Sequence, residues 1–357
     1  MERFGFVGLP NAGKSSLFNA LVGGGALAAP YAFATTDLNI GTVHVPDERL
    51  TQLARMSSSI NTIPTTVEFV DIGGLVEGAS RGEGLGNRFL AGIREVDAIV
   101  FVLRAFKDLE VPGPNNPLDH LRTLEIELAL ADMSTVEKQI SKLERAMKGN
   151  SSLEFTYKAL KQALAHLSDG IPLYRSKLEL EDHQVLKDFS LLTDKPVLAV
   201  VNIDEDQLVD PKRILDPVVS ELDGMEVLAM CVQLEAEAAL LGEDERSEIL
   251  MELGIGEGAL PRFIRSAYRL LGLCSFFTTG EKESRAWTFR MGSTAPECAG
   301  RIHTDFEKGF IRAETIAWDE LIEIGSWLEA RNVGRVRSEG KEYRPNDGDV
   351  MEFRFNV

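Results

Sequence analysis

The sequence predicts an α/β fold: a doubly wound, mostly parallel sheet that carries an inserted antiparallel α-helical hairpin and is followed by a small α+β domain. Three observations predict it. Short apolar runs alternate with segments of helical periodicity from Arg3 to Leu271. Between the runs at 98–103 and 196–201 the texture changes to leucines stepping by threes and fours. After Leu273 strand-like segments return around one helical segment.

At 357 residues the chain is long enough for two or three domains. With 38 Lys and Arg against 56 Asp and Glu, its net charge is −18, so the molecule as a whole repels nucleic acid and anionic membranes. No DNA or membrane partner is expected, and any RNA contact has to be local. Cys231, Cys274 and Cys298 are scattered, which indicates neither a disulfide framework nor a zinc site and fits a reducing compartment. No signal peptide is expected, and Ala98–Leu103, the longest apolar run, is far too short to span a bilayer. A cytoplasmic location is expected.

The first strand, Arg3–Val7, runs into Gly8-Leu-Pro-Asn-Ala-Gly-Lys-Ser-Ser16, which fits G-x-x-x-x-G-K-[ST]. Leu17, Phe18 and Leu21 then follow at helical spacing. Strand, glycine-rich turn and helix are the setting in which this pattern marks a phosphate site, and hence a P-loop NTPase. Gly8 and Gly13 let the backbone curl so that N–H groups point at phosphate oxygens, and the helix N-terminus adds partial positive charge. Lys14 is expected to reach the β- and γ-phosphates, and the Ser15 hydroxyl to ligate Mg²⁺.

Residues 22–37 read as a loop, placed where a nucleotide switch belongs; Thr35 and Thr36 both qualify to close over Mg²⁺. Strands are expected at Ile40–Val45 and Thr66–Asp71. The second opens Asp71-Ile-Gly-Gly74, a D-x-x-G element whose carboxylate would hold Mg²⁺ through water and whose Gly74 N–H would meet the γ-phosphate. Leu75 follows, where Ras-type GTPases place a water-orienting glutamine, so unaided hydrolysis is expected to be slow.

A helix over Asn87–Val96 precedes the buried strand Ala98–Leu103. Pro196–Val201 is a second such strand, and it ends in Asn202-Ile-Asp-Glu205. GTPases carry N-K-x-D there, with the aspartate pairing guanine. Glu205 is one methylene longer and Ile203 replaces the lysine, which weakens the case for guanine. The strand Glu226–Val232 could wall the base pocket, and Pro261–Leu271 supplies a closing helix.

In the insertion, two apolar stripes flank Gly149-Asn-Ser-Ser152: Leu121 to Met147 before it, Leu153 to Leu167 after it. Such stripes describe an antiparallel hairpin, whether a spacer or a partner-binding arm. Glu179–Leu192 reads as a helix returning to the core. The C-terminal strands are Ser275–Thr279, Arg285–Met291, Ile311–Ala317 and Val350–Phe355, with a helix over Ala295–Lys308. Arg331, Arg335, Arg337, Lys341 and Arg344 make a local basic run, a solvated loop or an RNA-phosphate contact. His303 has no metal-type neighbours and reads as structural. The domain boundaries drawn are 1–120 and 191–275 for the NTPase domain, 121–190 for the helical insertion and 278–357 for the last domain.

In this order the elements resemble the Obg-like ATPase (YchF) family of translation-factor-class P-loop proteins, over the whole chain. The most specific features are N-x-x-E in place of N-K-x-D and the segments Arg285-Ala-Trp287, His303–Phe310 and Asp347-Gly-Asp349. The latter look like a TGS domain, a ubiquitin-like β-grasp fold. The resemblance implies a monomeric protein that hydrolyses ATP in preference to GTP and associates with the ribosome, taken as its large subunit. Carried over, the phosphate loop is Gly8 with Asn11, Ala12, Gly13, Lys14, Ser15 and Ser16. The resemblance selects Thr35 over Thr36 as the second Mg²⁺ ligand beside Ser15, with Asp71 behind them, and gives Lys14, Thr35 and Gly74 catalytic roles. It places Asn202, Ile203 and Glu205 at the base. Asn11 also resembles the P-loop asparagine of potassium-stimulated relatives, which adds K⁺ as a second ion. The chain departs from the family's pattern at Gly73, where D-I-A-G has alanine. It also lacks a proline before Phe33, and a histidine that some members carry after Arg104-Ala-Phe106. Two other functions fit these motifs: an Obg-type GTPase that tolerates Glu205, and a nucleotide-regulated ribosome- or RNA-binding protein with incidental turnover.

Overall fold

A computed structural model describes residues 1–23, 28–34, 39–73, 85–108, 113–147, 153–252 and 255–356 of the chain. They divide into two compact units, Met1–Val43 with Glu68–Phe263 and His44–Val67 with Ile264–Val357.

The first unit is built on a seven-stranded sheet in the order β2-β3-β5-β1-β6-β7-β8, with strands numbered in chain order through both units. These are β1 (Arg3–Val7), β2 (Ala28–Ala34), β3 (Asn39–His44), β5 (Thr66–Asp71), β6 (Ala98–Arg104), β7 (Val197–Asn202) and β8 (Val227–Met230). From β5 to β8 every pairing is parallel. β6 is buried at all its positions, as a central parallel strand requires, and its run of Ile, Val, Phe and Leu supplies the apolar side chains. On one part of the sheet Phe6 stacks on Phe69 with centroids 5.4 Å apart, and Phe263 closes on Phe69 at 5.3 Å. Removing the ring of Phe69 costs about 3–5 kcal/mol.

The stretch expected as a loop at 22–37 contains β2, which pairs antiparallel with β3 through Ala32–Gly41 and Phe33–Ile40. Its alanines carry little strand propensity. Pro30 fits because an edge strand can spare a donor.

The helix Pro117–Ala146 starts at Asn116, whose side chain accepts the Leu118 N–H at 3.0 Å, with proline in the first turn. Leu121, Leu124 and Leu128 pack with β6 and β7, so the first half of the leucine stripe belongs to the sheet's core. Only the second half forms the hairpin: Val136 and Ile140 pack with Leu160, Ala163 and Leu167 of the helix Glu154–Ser168. Tyr157 donates to Glu144 at 3.0 Å, pairing the end of one helix with the start of the other. The returning segment is shorter than expected, a helix over Leu180–Leu186 and a turn over Lys187–Phe189.

The second unit holds a six-stranded mixed sheet ordered β12-β11-β13-β9-β10-β4. Its strands are β4 (Asn61–Ile63), β9 (Leu273–Thr278), β10 (Glu283–Arg290), β11 (Phe310–Ala317), β12 (Arg337–Glu339) and β13 (Asp349–Phe355). Helices cover it, giving the α+β module expected. The helix expected over Ala295–Lys308 is two, Ala295–Ile302 and Thr304–Lys308, broken at His303, whose ring accepts the Asp305 N–H at 3.2 Å. That histidine is structural. Residues 44–67, inside the 1–120 range expected for the NTPase domain, cluster with 264–357. In the basic run, Arg331 pairs with Glu314 and Glu352, and Arg335 with Glu320; Arg337 lies 3.6 Å from Asp349. Acidic neighbours thus offset three of the five charges. No helix among the described residues is long and apolar enough to cross a membrane.

Candidate nucleotide site

The site forms where β1, β5, β6, β7 and β8 end, at the carboxyl edge of the parallel sheet, where such sheets hold their ligands. After Val7 the chain turns back on itself: the Ala12 N–H donates to the Leu9 carbonyl, and the helix Lys14–Gly23 begins with Leu17 N–H bonding Gly13 at 2.9 Å. Asn11 and Gly13 take left-handed backbone angles, φ 61° and 98°. Gly8 has no room for a side chain, since a Cβ there would lie 2.5 Å from the Val102 carbonyl oxygen.

Lys14 is buried, and its ammonium donates to the Leu9 carbonyl at 2.9 Å. Burial lowers its pKa to about 8, with Asp71 acting in the opposite direction. Ser15 donates to Asp71 Oδ2 at 2.7 Å, joining the phosphate loop to the D-x-x-G strand end. The other oxygen, Asp71 Oδ1, is buried and has no hydrogen-bond partner among the described residues. Ser15 and Asp71 thus present oxygen donors alone, the set that suits a hard divalent cation such as Mg²⁺. Thr35, Thr36, Gly74 and Leu75 lie outside the described residues.

Beyond Gly13 and Ser16 opens a cavity of about 710 Å³, lined by Asn202, Ile203 and Glu205. It falls in the roughly 300–1,000 Å³ range of small-molecule sites. Asn202 clamps its inner end: Nδ2 donates to the Ala12 carbonyl, and Oδ1 accepts the Val232 N–H, both at 3.1 Å. A Cβ on Gly13 would lie 2.3 Å from Asn202 Nδ2, so the loop's glycine is needed for this approach. Ile203, at the position where N-K-x-D has lysine, is 1% exposed and part of the apolar core. Glu205 begins the short turn Glu205–Leu208 on the cavity wall.

Sequence motifs did not identify several lining residues: Phe106, Asp108, Gln233, Leu234 and Glu237. Gln233, Leu234 and Glu237 belong to the helix Val232–Ala238 that follows β8; the rule that ligands sit past the carboxyl ends of parallel strands could have pointed to them. The loop after β6 is anchored by two buried residues. Arg104 donates to the carbonyls of Phe106 and Asp108. His120 Nε2 bonds the Pro114 carbonyl at 2.8 Å, and burial lowers its pKa.

The family described as 50S ribosome-binding GTPase matches residues 3–128, and a YchF GTPase C-terminal family, described as of unknown function, matches residues 273–356. The "Ribosome-binding ATPase YchF" of Bacillus subtilis (strain 168) is 46% identical, with 99% of each chain covered. The protein of that name from Escherichia coli O157:H7 is 45% identical over the same shares. The structure of the Schizosaccharomyces pombe YchF GTPase superposes with a TM-score of 0.88 at 32% identity, covering 99% of this chain and 97% of that one. Full-length identity at this level, with the phosphate loop, the Asn202–Glu205 turn and the C-terminal module in place, settles the kinship: the chain belongs to the YchF family.

Proposed function

We propose that this chain is a ribosome-associated P-loop NTPase that binds ATP in preference to GTP and hydrolyses it slowly until a partner orders its switch segments. One observation carries the reading: Asn202-Ile-Asp-Glu205, at the end of β7, lines the same cavity as Gly13 and Ser16. On this reading the base and the phosphates have adjoining places, and Ile203 and Glu205 at the base end depart from the N-K-x-D of guanine readers. The names of the bacterial relatives and the 50S description of the matching family support the ribosome, and its large subunit, as partner.

Ser15 and Asp71 would hold Mg²⁺, which supplies charge neutralisation at the β- and γ-phosphates when bound. Thr35 is proposed as a further metal ligand and the Gly74 N–H as the contact to the γ-phosphate. Lys14 would give up its bond to Leu9 for phosphate oxygens. Asn11 is proposed as the residue that brings in K⁺, tested by comparing turnover in potassium and sodium salts. The working form is taken to be a cytoplasmic monomer, which light scattering of the purified chain checks.

Competition binding of MgATP and MgGTP tests the base preference; GTP binding ten times tighter than ATP would overturn it. The S. pombe relative is described as a GTPase, which favours a second reading in which Glu205 accepts guanine. Glu205→Asp separates the two, since it should raise GTP affinity under the ATPase reading and change little under the other. Ribosome pelleting of wild type and Lys14→Ala, with and without nucleotide, tests the coupling; identical pelleting in all four samples would leave the chain a binding protein with incidental turnover.

A further inference from the structure

Asp204 stands on the cavity wall between Ile203, whose side chain is also part of the core, and Glu205. Its groups make two connections at once. Its carboxylate accepts the Gln207 N–H while Gln207 Oε1 accepts the Asp204 N–H at 2.8 Å, a reciprocal cap that fixes the turn Glu205–Leu208. Oδ2 also accepts the Lys107 N–H at 2.9 Å, from a segment 97 residues away in sequence.

The segment that donates this bond carries Phe106 and Asp108, both on the cavity wall. The N–H groups of Ala105 and Phe106 donate to the Asn202 carbonyl at 2.8 and 3.1 Å. Arg104 lies with its guanidinium 4.4 Å from the centroid of the Phe106 ring. Main-chain bonds therefore tie this segment to the end of β7 as far as residue 106, and Asp204 makes the next tie at 107. One carboxylate thus holds the turn that presents Glu205 and the loop that presents Phe106.

We propose that Asp204 is a specificity-determining positioning residue, setting where Phe106 and Glu205 stand on the base cavity and hence which purine is preferred. This rests on reading the cavity as the base site. An aromatic face accepts either purine, whereas a carboxylate pairs only with donors at particular places on the base edge. Adenine offers its donor at the 6-amino group, and guanine offers donors at N1 and the 2-amino group. Moving the two walls relative to each other therefore alters the ratio of affinities, and does more than lower both.

The test is ATP and GTP affinity of the full-length chain, with steady-state kinetics on ATP. Asp204→Ala should weaken ATP about tenfold and GTP less than about threefold, the loss expected of one charge-assisted bond in a site of this kind. KM for ATP should rise by more than kcat falls. Asp204→Asn keeps an acceptor for Lys107 and should restore most of the ratio. Gln207→Ala loosens the turn but leaves the Lys107 bond, and should keep the ratio within about twofold. Should Asp204→Ala fail to fold, Lys107→Pro removes the donated N–H while leaving the carboxylate and its turn, and should lower the ATP:GTP ratio likewise. Equal weakening of both nucleotides, or no rescue by asparagine, overturns the assignment of Asp204. Failure of the wild type to bind either nucleotide overturns the base reading with it.

Discussion

Lys14 is the residue whose chemistry the fold alters most directly. Its ordinary pKa of 10.5 falls to about 8 because burial disfavours the charged ammonium more than Asp71 favours it. Between those values the unfolded chain binds more protons on this lysine than the folded chain does. The protein without nucleotide therefore gains stability as pH rises through that window. Phosphate oxygens bound at Lys14, as proposed, would reverse the balance by raising the pKa again, so ATP binding should take up protons. Calorimetry in buffers of different ionisation enthalpy should find more proton uptake at about pH 8.5 than at about pH 7. Uptake that is the same at both values, or that persists in Lys14→Met, would contradict this. Gly13 makes a second, steric prediction. Alanine there meets both a φ of 98° and the 2.3 Å approach to Asn202, so Gly13→Ala should cost about 1–3 kcal/mol in urea unfolding and weaken ATP by more than tenfold. An affinity within twofold of wild type would show that Asn202 can retreat at no cost. These residues were legible because Gly8–Ser16 is one contiguous stretch whose spacing is its geometry. Asp204 and Phe106 were not, because their parts depend on bonds between segments about a hundred residues apart.

At the scale of elements, periodicity located helices and strands but not what they pack against. The leucines from Leu121 onward keep one spacing along the whole helix Pro117–Ala146, yet the first half faces the sheet and the second half the helix Glu154–Ser168. A single repeat in sequence cannot show that the neighbour changes halfway. β2 is illegible for the opposite reason: Ala28-Ala-Pro-Tyr-Ala-Phe-Ala34 has little strand character of its own and is recruited by pairing with β3. The change of neighbour along the long helix is held by Asp132. That buried carboxylate accepts the N–H groups of Leu192 and Thr193 at 2.9 and 2.8 Å and the Thr193 hydroxyl at 2.7 Å, fixing the approach to β7. Asp132→Ala leaves two buried backbone donors unmet and should destabilise the chain by about 2–4 kcal/mol in urea. Burial raises the pKa of Asp132 from 3.8 to about 6, against its hydrogen bonds. The folded chain therefore binds the extra proton between those values, and the stability gap between wild type and Asp132→Ala should widen as pH falls through 6. A gap that narrows over that range would show that the charged form is the favoured one.

The whole molecule divides in a way no linear boundary describes, because the second unit takes its residues from two places in the chain. Its core includes Leu50 and Leu53 from the helix Glu48–Met56 together with Phe277, Ala286, Ile316, Leu321, Ala330 and Val350. Polar contacts follow the same division. Arg49 pairs with Asp347 at 2.8 Å, and Ser59 bonds Ser284 at the same distance. β4 adds its three residues beside β10. A truncation after Phe277 therefore does more than remove a module: it bares Leu53 and Phe277, both fully buried, and strips β9 of its partners β10 and β13. The shortened chain should aggregate or bind a hydrophobic dye, and should melt well below the full-length protein. In the intact chain, Leu53→Ala should reproduce part of the loss, about 2–5 kcal/mol, through the cavity it leaves. A truncated chain that stays monodisperse and melts within about 2 °C of full length would show that residues 44–67 do not need the C-terminal ones. If the truncation fails as expected, its loss of ribosome pelleting would report unfolding rather than a missing contact surface. Exposed side chains of the intact second unit, such as Leu328 or Met291, are then the positions at which to substitute and measure pelleting, because changing them leaves the shared core in place.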